Sequence, residues 1–165
     1  MRVLAVFKGK WMVLVGVIFL LPILGGCRDD EPPEGEVQLS EILENPDYAS
    51  LPLVGTPWKL IGFVDEGRNR VKLAEPEGES TYLLTFNENG EISGRTSTNT
   101  VFGRYILASD SLLEILTFTN ITEVNELYDG GYYIASMNDV FSFTLTPKGL
   151  ALYYDSEKFM LFQPQ

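Results

Sequence analysis

Chemistry in this chain would have to come from carboxylates, lysines, tyrosines, hydroxyls and one thiol. The sequence holds 23 Asp and Glu against 12 Lys and Arg, a net charge of −11, with one cysteine and no histidine. Histidine is the usual general base near neutral pH and the commonest transition-metal ligand. Without it a Ser-His-Asp arrangement is excluded. Paired acids cleave glycosides only when they face each other across a cleft. Glu88 and Glu91 flank Asn89-Gly90, and Asp65-Glu66 stand in another loop, so both pairs read as solvated turn acids. Glu75-Pro76-Glu77-Gly78-Glu79 offers oxygens to calcium, but without defined ligand spacing. No glycine-rich phosphate loop is present. No catalytic residue, metal ligand set or cofactor is expected. Nucleic acid is not an expected partner, because phosphate affinity comes from clustered Lys and Arg.

The thiol of Cys27 has a different use. Arg2, Lys8 and Lys10 make a cationic start, and Trp11 to Leu24 is an apolar run. That run is shorter than the roughly 18–20 residues needed to span a bilayer. Leu24-Gly25-Gly26-Cys27 closes it with small residues before the cysteine and resembles the lipobox of bacterial lipoproteins. The resemblance implies a signal peptide over residues 1–26, cleavage before Cys27, and acylation of Cys27 with palmitate-type chains. Each buried methylene then adds about 0.8 kcal/mol of membrane affinity. The membrane is thus an expected partner, through a lipid anchor in the outer membrane. Asp29-Asp30-Glu31 resembles the surface-export signal of lipoproteins in some Gram-negative lineages. It implies display at the cell surface, with the periplasmic face as the alternative.

Residues 27–50 read as a flexible acidic tether. From Asp29 to Asp47 eight acids face the single base Arg28, and Pro32, Pro33 and Gly35 interrupt regular structure. From Leu51 the texture changes to short runs of Val, Ile, Leu, Phe, Tyr and Thr between Gly, Asn and Asp turns. Trp58 to Val64, Tyr82 to Phe86, Val101 to Leu107, Leu112 to Phe118, Val140 to Leu145, Leu150 to Tyr154 and Phe159 to Phe162 are predicted strands. Asn89-Gly90 predicts a hairpin joining Phe86 to Ile92, and Gly149 is expected in a left-handed conformation. Asp129 is expected to cap one short helix through Met137. About eight short strands and one short helix predict a mainly β fold over residues 51–165, a small antiparallel β-barrel that removes exposed edges.

Leu53-Val54-Gly55-Thr56-Pro57-Trp58-Lys59-Leu60 resembles the opening L-x-G-T-x-W-x-L of META/HslJ-type domains. Asn99-Thr100-Val101-Phe102-Gly103-Arg104-Tyr105 is similar to that family's N-x-aromatic-x-G-x-Y segment, with Val101 in the aromatic place. Many members carry Gly-Cys before the asparagine; here Ser97-Thr98 stand instead, so any thiol role is absent. The resemblance implies a lipocalin-like barrel with a helix in an envelope protein, and no established catalytic residues. Trp58 is expected in the core. Gly94 and Gly103 are expected to allow a bend or close backbone approach, and Asn99 to bond local backbone. A polar site combining Arg95, Asn99 and Arg104 is the sharper alternative. Asp110-Ser111-Leu112 resembles a three-residue O-glycosylation motif, which makes Ser111 a candidate for modification; a turn before a strand explains it equally.

Three classes of function remain open. The first is a non-catalytic structural or protein-interaction module, with an envelope protein as the possible partner. The second is a carrier of a small apolar ligand in the barrel mouth. The third is a carboxylate-dependent hydrolase, which needs paired acids in a cleft.

Overall fold

A computed structural model describes residues 32–109, 111–122 and 124–165. The leader, Cys27, Asp29, Asp30 and Glu31 lie outside the described residues. The elements in chain order are β1 (Glu36–Gln38), β2 (Trp58–Asp65), β3 (Arg70–Leu73), β4 (Leu83–Phe86), β5 (Glu91–Arg95), β6 (Thr100–Leu107), β7 (Leu113–Asn120), α1 (Gly130–Asn138), β8 (Ser142–Thr146), β9 (Gly149–Tyr153) and β10 (Lys158–Pro164). The strands form one antiparallel sheet in the order β7-β6-β5-β4-β2-β10-β9-β8. β2 changes partner along one edge: Trp58 and Lys59 pair with β4, whereas Gly62 to Asp65 pair with β3. β3 in turn carries β1.

The sheet curls until its outermost strands meet at one corner. Leu112 bridges Ser142. Leu113 N donates to Phe141 O at 3.3 Å, and Phe143 N donates to Ser111 O at 3.0 Å. Further along, α1 lies against β7. The result is a half-barrel, a mainly β, barrel-like fold with one helix. Register shifts at Arg104/Tyr105 and Leu161/Phe162 mark bulges, which add local twist and so help a sheet to curve. Gly94 allows two strands to close: a Cβ there would lie 2.1 Å from Leu83 O. At Gly149, with φ +129, a Cβ would lie 1.9 Å from Phe162 O. Both the turn and the neighbouring strand therefore require glycine.

Strand alternation fills the inside. Trp58, Leu84, Phe86, Ile92, Leu152 and Phe162 have no exposed surface, and Tyr133 and Met137 of α1 seal the same core. Trp58 Nε1 donates to Leu53 O at 3.1 Å, which pairs its one polar atom.

A second, smaller apolar cluster corrects the expected tether. Val64, Val71, Ala151, Phe159 and Leu161 pack together, and Val37, Leu39 and Ile42 cover them. Residues 36–50 are therefore part of the domain, which is compact from Pro32 onward. The physical reason is two-sided burial. β9 and β10 are apolar at nearly every position, so a segment must cover their second face. Most of its acids do not prevent this, because Glu41, Glu44 and Asp47 stay exposed and Glu44 pairs with Lys148 Nζ at 2.7 Å. The helix expectation is also amended. Asp129 precedes α1, but its carboxylate does not cap it. Lys72 Nζ reaches both Asp129 oxygens at 2.6 Å, and Glu75 N donates to Oδ2 at 2.9 Å.

Candidate functional site

Of the residues singled out from sequence, Arg95, Asn99 and Arg104 are not brought together. Arg95 and Arg104 are exposed on neighbouring strands, whereas Asn99 is buried in the β5–β6 turn. Asn99 Nδ2 donates to Glu126 Oε1 at 2.6 Å and to Val124 O at 2.8 Å. Its Oδ1 accepts from Thr122 Oγ1. Thr96, also buried, donates to Glu126 Oε2 at 2.8 Å. These bonds form a polar knot between the β5–β6 turn and the segment leading to α1. The knot consumes the polar capacity of its members and offers a ligand little. Residue-level reasoning did not link Glu126 to this turn, and it missed Thr96 and Thr122; Glu126's partners Thr96 and Asn99 lie 30 and 27 positions away in sequence.

Ser111 is exposed beside the corner where β7 meets β8, and its carbonyl accepts from Phe143 N. Glu88 and Glu91 flank the β4–β5 turn, where Asn89 Nδ2 donates to Glu91 Oε2 at 2.8 Å. Among the described residues no group of three or more acidic side chains converges as a metal ion would need.

A groove lies on the outer side of β2. Between the end of β3 and the start of β4, residues 74–82 arch over Leu60 and Ile61. Ala74 N donates to Ile61 O and Leu60 N to Tyr82 O, each at 3.0 Å. Under the arch is a cavity of about 690 Å³ lined by Lys59, Ile61, Glu77, Glu79 and Gln163. A second cavity, of about 430 Å³, shares Lys59, Ile61 and Glu77 and reaches Gly35 and Leu73. Lys59 is the chemical centre of this groove. Its Nζ donates to Thr81 O and, at 2.9 Å, to Thr81 Oγ1, and it lies 5.8 Å from the Tyr82 ring centroid. Partial burial lowers the Lys59 pKa, and the nearby Glu77 charge opposes that shift. An apolar strip with one cation and flanking acids suits a small amphiphile.

A third cluster joins Tyr132 and Tyr154, whose hydroxyls lie 3.0 Å apart, with the Tyr132 ring 4.7 Å from that of Phe63. Burial pushes the Tyr154 hydroxyl well above the usual tyrosine range; its bond to Tyr132 and the charges of Asp155 and Asp65 add to the shift. The Tyr132–Tyr154 contact serves packing.

No family model matches the chain, and no curated protein matches it either. Two solved structures share the fold. One is the NMR structure of a protein from Burkholderia xenovorans, at 18% identity and TM-score 0.55, covering 74% of this chain and 89% of that one. The other is the crystal structure of a DUF4847 family protein from Bacteroides vulgatus, at 12% identity and TM-score 0.50, covering 67% of this chain and 93% of that one.

Proposed function

We propose that this chain is a lipid-anchored envelope protein whose barrel is a non-catalytic structural or protein-interaction module. The observation that carries the reading is the filled interior. Trp58, Tyr82, Phe86, Tyr133 and Phe162 are fully buried where a carrier barrel would hold its ligand. Recognition is left to the outside of the domain. The lipobox-like Leu24-Gly25-Gly26-Cys27 supplies the anchor. The motif residues shared with META/HslJ-type domains sit in core and turn positions, so they support a fold and name no activity.

The experiment is isolation of the full-length product from its own envelope, followed by intact mass, cross-linking and substrate profiling. The expected result is a chain beginning at an acylated Cys27, specific protein cross-links, and no turnover of glycosides, esters or peptides. An uncleaved chain without acyl mass overturns the anchor. Turnover abolished by changing one acid pair overturns the non-catalytic reading. Replacing Asp29, Asp30 and Glu31 by Ala tests display: the lipidated protein should then resist protease added to intact cells, whereas wild type is cleaved.

One observation favours a second reading, a carrier, with its site moved from the barrel mouth to the outside. The groove at Lys59 is large enough for a small amphiphile. A co-purifying amphiphile lost on Lys59→Glu supports that reading, and an empty groove in native protein opposes it.

A further inference from the structure

The segment between β7 and α1 exposes four large apolar side chains. Ile121 is 63%, Val124 56%, Leu127 57% and Tyr128 71% exposed. A loosely held segment would fold such side chains away, but this one is held from beneath. Ile121 N donates to Thr100 O at 2.9 Å, Asn99 Nδ2 to Val124 O at 2.8 Å, and Ser97 Oγ to Leu127 O at 3.0 Å. Glu126 is gripped by Thr96 and Asn99. Tyr128 has φ +54, a left-handed conformation that bulky residues rarely adopt. These polar bonds thus fix the backbone in an arrangement that keeps apolar side chains in water.

The same segment adjoins the place where the chain enters the domain. Asp129 N donates to Glu75 O at 3.3 Å, and Leu73 N donates to Gly35 O at 3.0 Å. Because residues from Glu36 onward are docked, roughly eight residues separate Cys27 from Gly35, a reach of at most about 29 Å. A compact domain of this length is about 36 Å across. A reach shorter than the domain's own width limits how far the entry face, and the apolar segment beside it, can stand from whatever holds Cys27.

We propose that Ile121, Val124, Leu127 and Tyr128 rest in the lipid surface that anchors Cys27, so that the barrel is seated on the bilayer rather than suspended from it. This inference rests on the lipid-anchor reading above. Tyrosine suits the headgroup level, and aliphatic side chains suit the acyl boundary beneath it. Two acids of this stretch are engaged, Glu126 in the knot and Asp129 with Lys72; Glu123 lies outside the described residues. Without the leader's three bases the chain holds 9 Lys and Arg against 23 Asp and Glu, a net charge of −14, so the matching surface is zwitterionic rather than anionic.

The test uses full mature lipoprotein in phosphatidylethanolamine vesicles, with Leu127→Cys or Val124→Cys carrying an environment-sensitive fluorophore. Cys27 is the chain's sole cysteine, so once it is acylated the introduced thiol is labelled alone. The control is Ile106→Cys, 47% exposed and six residues along β6 from Thr100, about 20 Å away. Quenchers in the lipid phase are expected to act several-fold more on the probes at 127 and 124 than on the control. Equal quenching, with the protein still retained by the vesicles after a carbonate wash, overturns the seating and leaves the anchor standing. Shielding of the probes from an aqueous quencher without lipid-phase quenching means a protein cover and also overturns it. Loss of the protein in the wash overturns the anchor reading, and the seating falls with it.

Discussion

The Asn138 carboxamide pairs with the main chain of Phe118 as a neighbouring strand would. Oδ1 accepts from Phe118 N at 2.9 Å, and Nδ2 donates to Phe118 O at 2.8 Å. Asn138 ends α1, and Phe118 lies on β7, which β8 reaches only at the Leu112 corner. One side chain thus occupies backbone groups of an edge strand that would otherwise be open to another chain. Asn138→Ala should cost about 1–3 kcal/mol, since it strands a part-buried donor and acceptor. Chemical denaturation measures the loss, and size-exclusion chromatography should show increased self-association. A loss near zero would mean that water replaces the amide without penalty.

Asn99→Ala should cost a similar amount, about 1–3 kcal/mol. It removes the donor shared by Val124 O and Glu126 Oε1 and leaves a carboxylate with one protein partner fewer. The loss should be local first. Amide hydrogen exchange is expected to rise between Ile121 and Asp129 before it rises in β2 or β10. Uniform acceleration across the sheet would contradict a knot that serves mainly this segment.

Tyr133 predicts an alkaline dependence. Its hydroxyl is buried and has no hydrogen-bond partner, and its ring meets those of Tyr82, Phe118 and Phe162. Burial, reinforced by Tyr82, pushes its pKa far above the usual tyrosine range. Below about pH 10 tyrosine is protonated in both the folded and the unfolded chain. Above that, the unfolded chain releases this proton while the folded one keeps it, so stability falls as pH rises. Tyr133→Phe should shallow that fall. It should also raise neutral-pH stability by about 1 kcal/mol, because it deletes an unpaired buried polar group. Some alkaline slope should remain from Tyr82, Tyr105, Tyr153 and Tyr154, each raised by burial. A destabilised Tyr133→Phe would show that the hydroxyl has a bonded role.

The docked N-terminal segment gives a fourth test. Val37→Ala with Ile42→Ala should destabilise the domain by about 1–2 kcal/mol, less than for fully buried sites because both residues are half-buried. Limited proteolysis of wild type should spare residues 36–50. Rapid cleavage within that stretch, without loss of the barrel's cooperative unfolding, would restore the tether expected from charge.

Much of the barrel was legible in the chain because it rests on local, repeating signals. Alternation in Trp58 to Ile61 and in Val101 to Ile106 reports one-sided burial. Asn89-Gly90 and Gly149 mark turns where backbone conformation narrows the choice of residue, and Gly90 and Gly149 have positive φ, whereas Asn89 does not. Asp129 was legible as the start of a helix but not in its role, because its partners Lys72 and Glu75 are brought to it only by folding. Two short strands were missed: β1 is three residues long, and β3 is four residues beside a run of charges. One signal did point to the docked segment. The near-continuous apolar character of Leu150 to Tyr153 and Phe159 to Phe162 is what strands covered on both faces look like.

By itself, then, the sequence determined the mainly β class, most strand positions, the buried tryptophan and the absence of histidine chemistry. Each depends on residue type or on neighbours a few positions away. Only the tertiary structure decided that the acidic stretch belongs to the domain, that Asn99 meets Glu126 instead of Arg95 and Arg104, that the interior is filled while a groove opens outside at Lys59, and that Asn138 closes an edge. Those facts are contacts between segments tens of residues apart. No periodicity encodes them, because what selects them is the packing of the whole sheet against the elements that cover it.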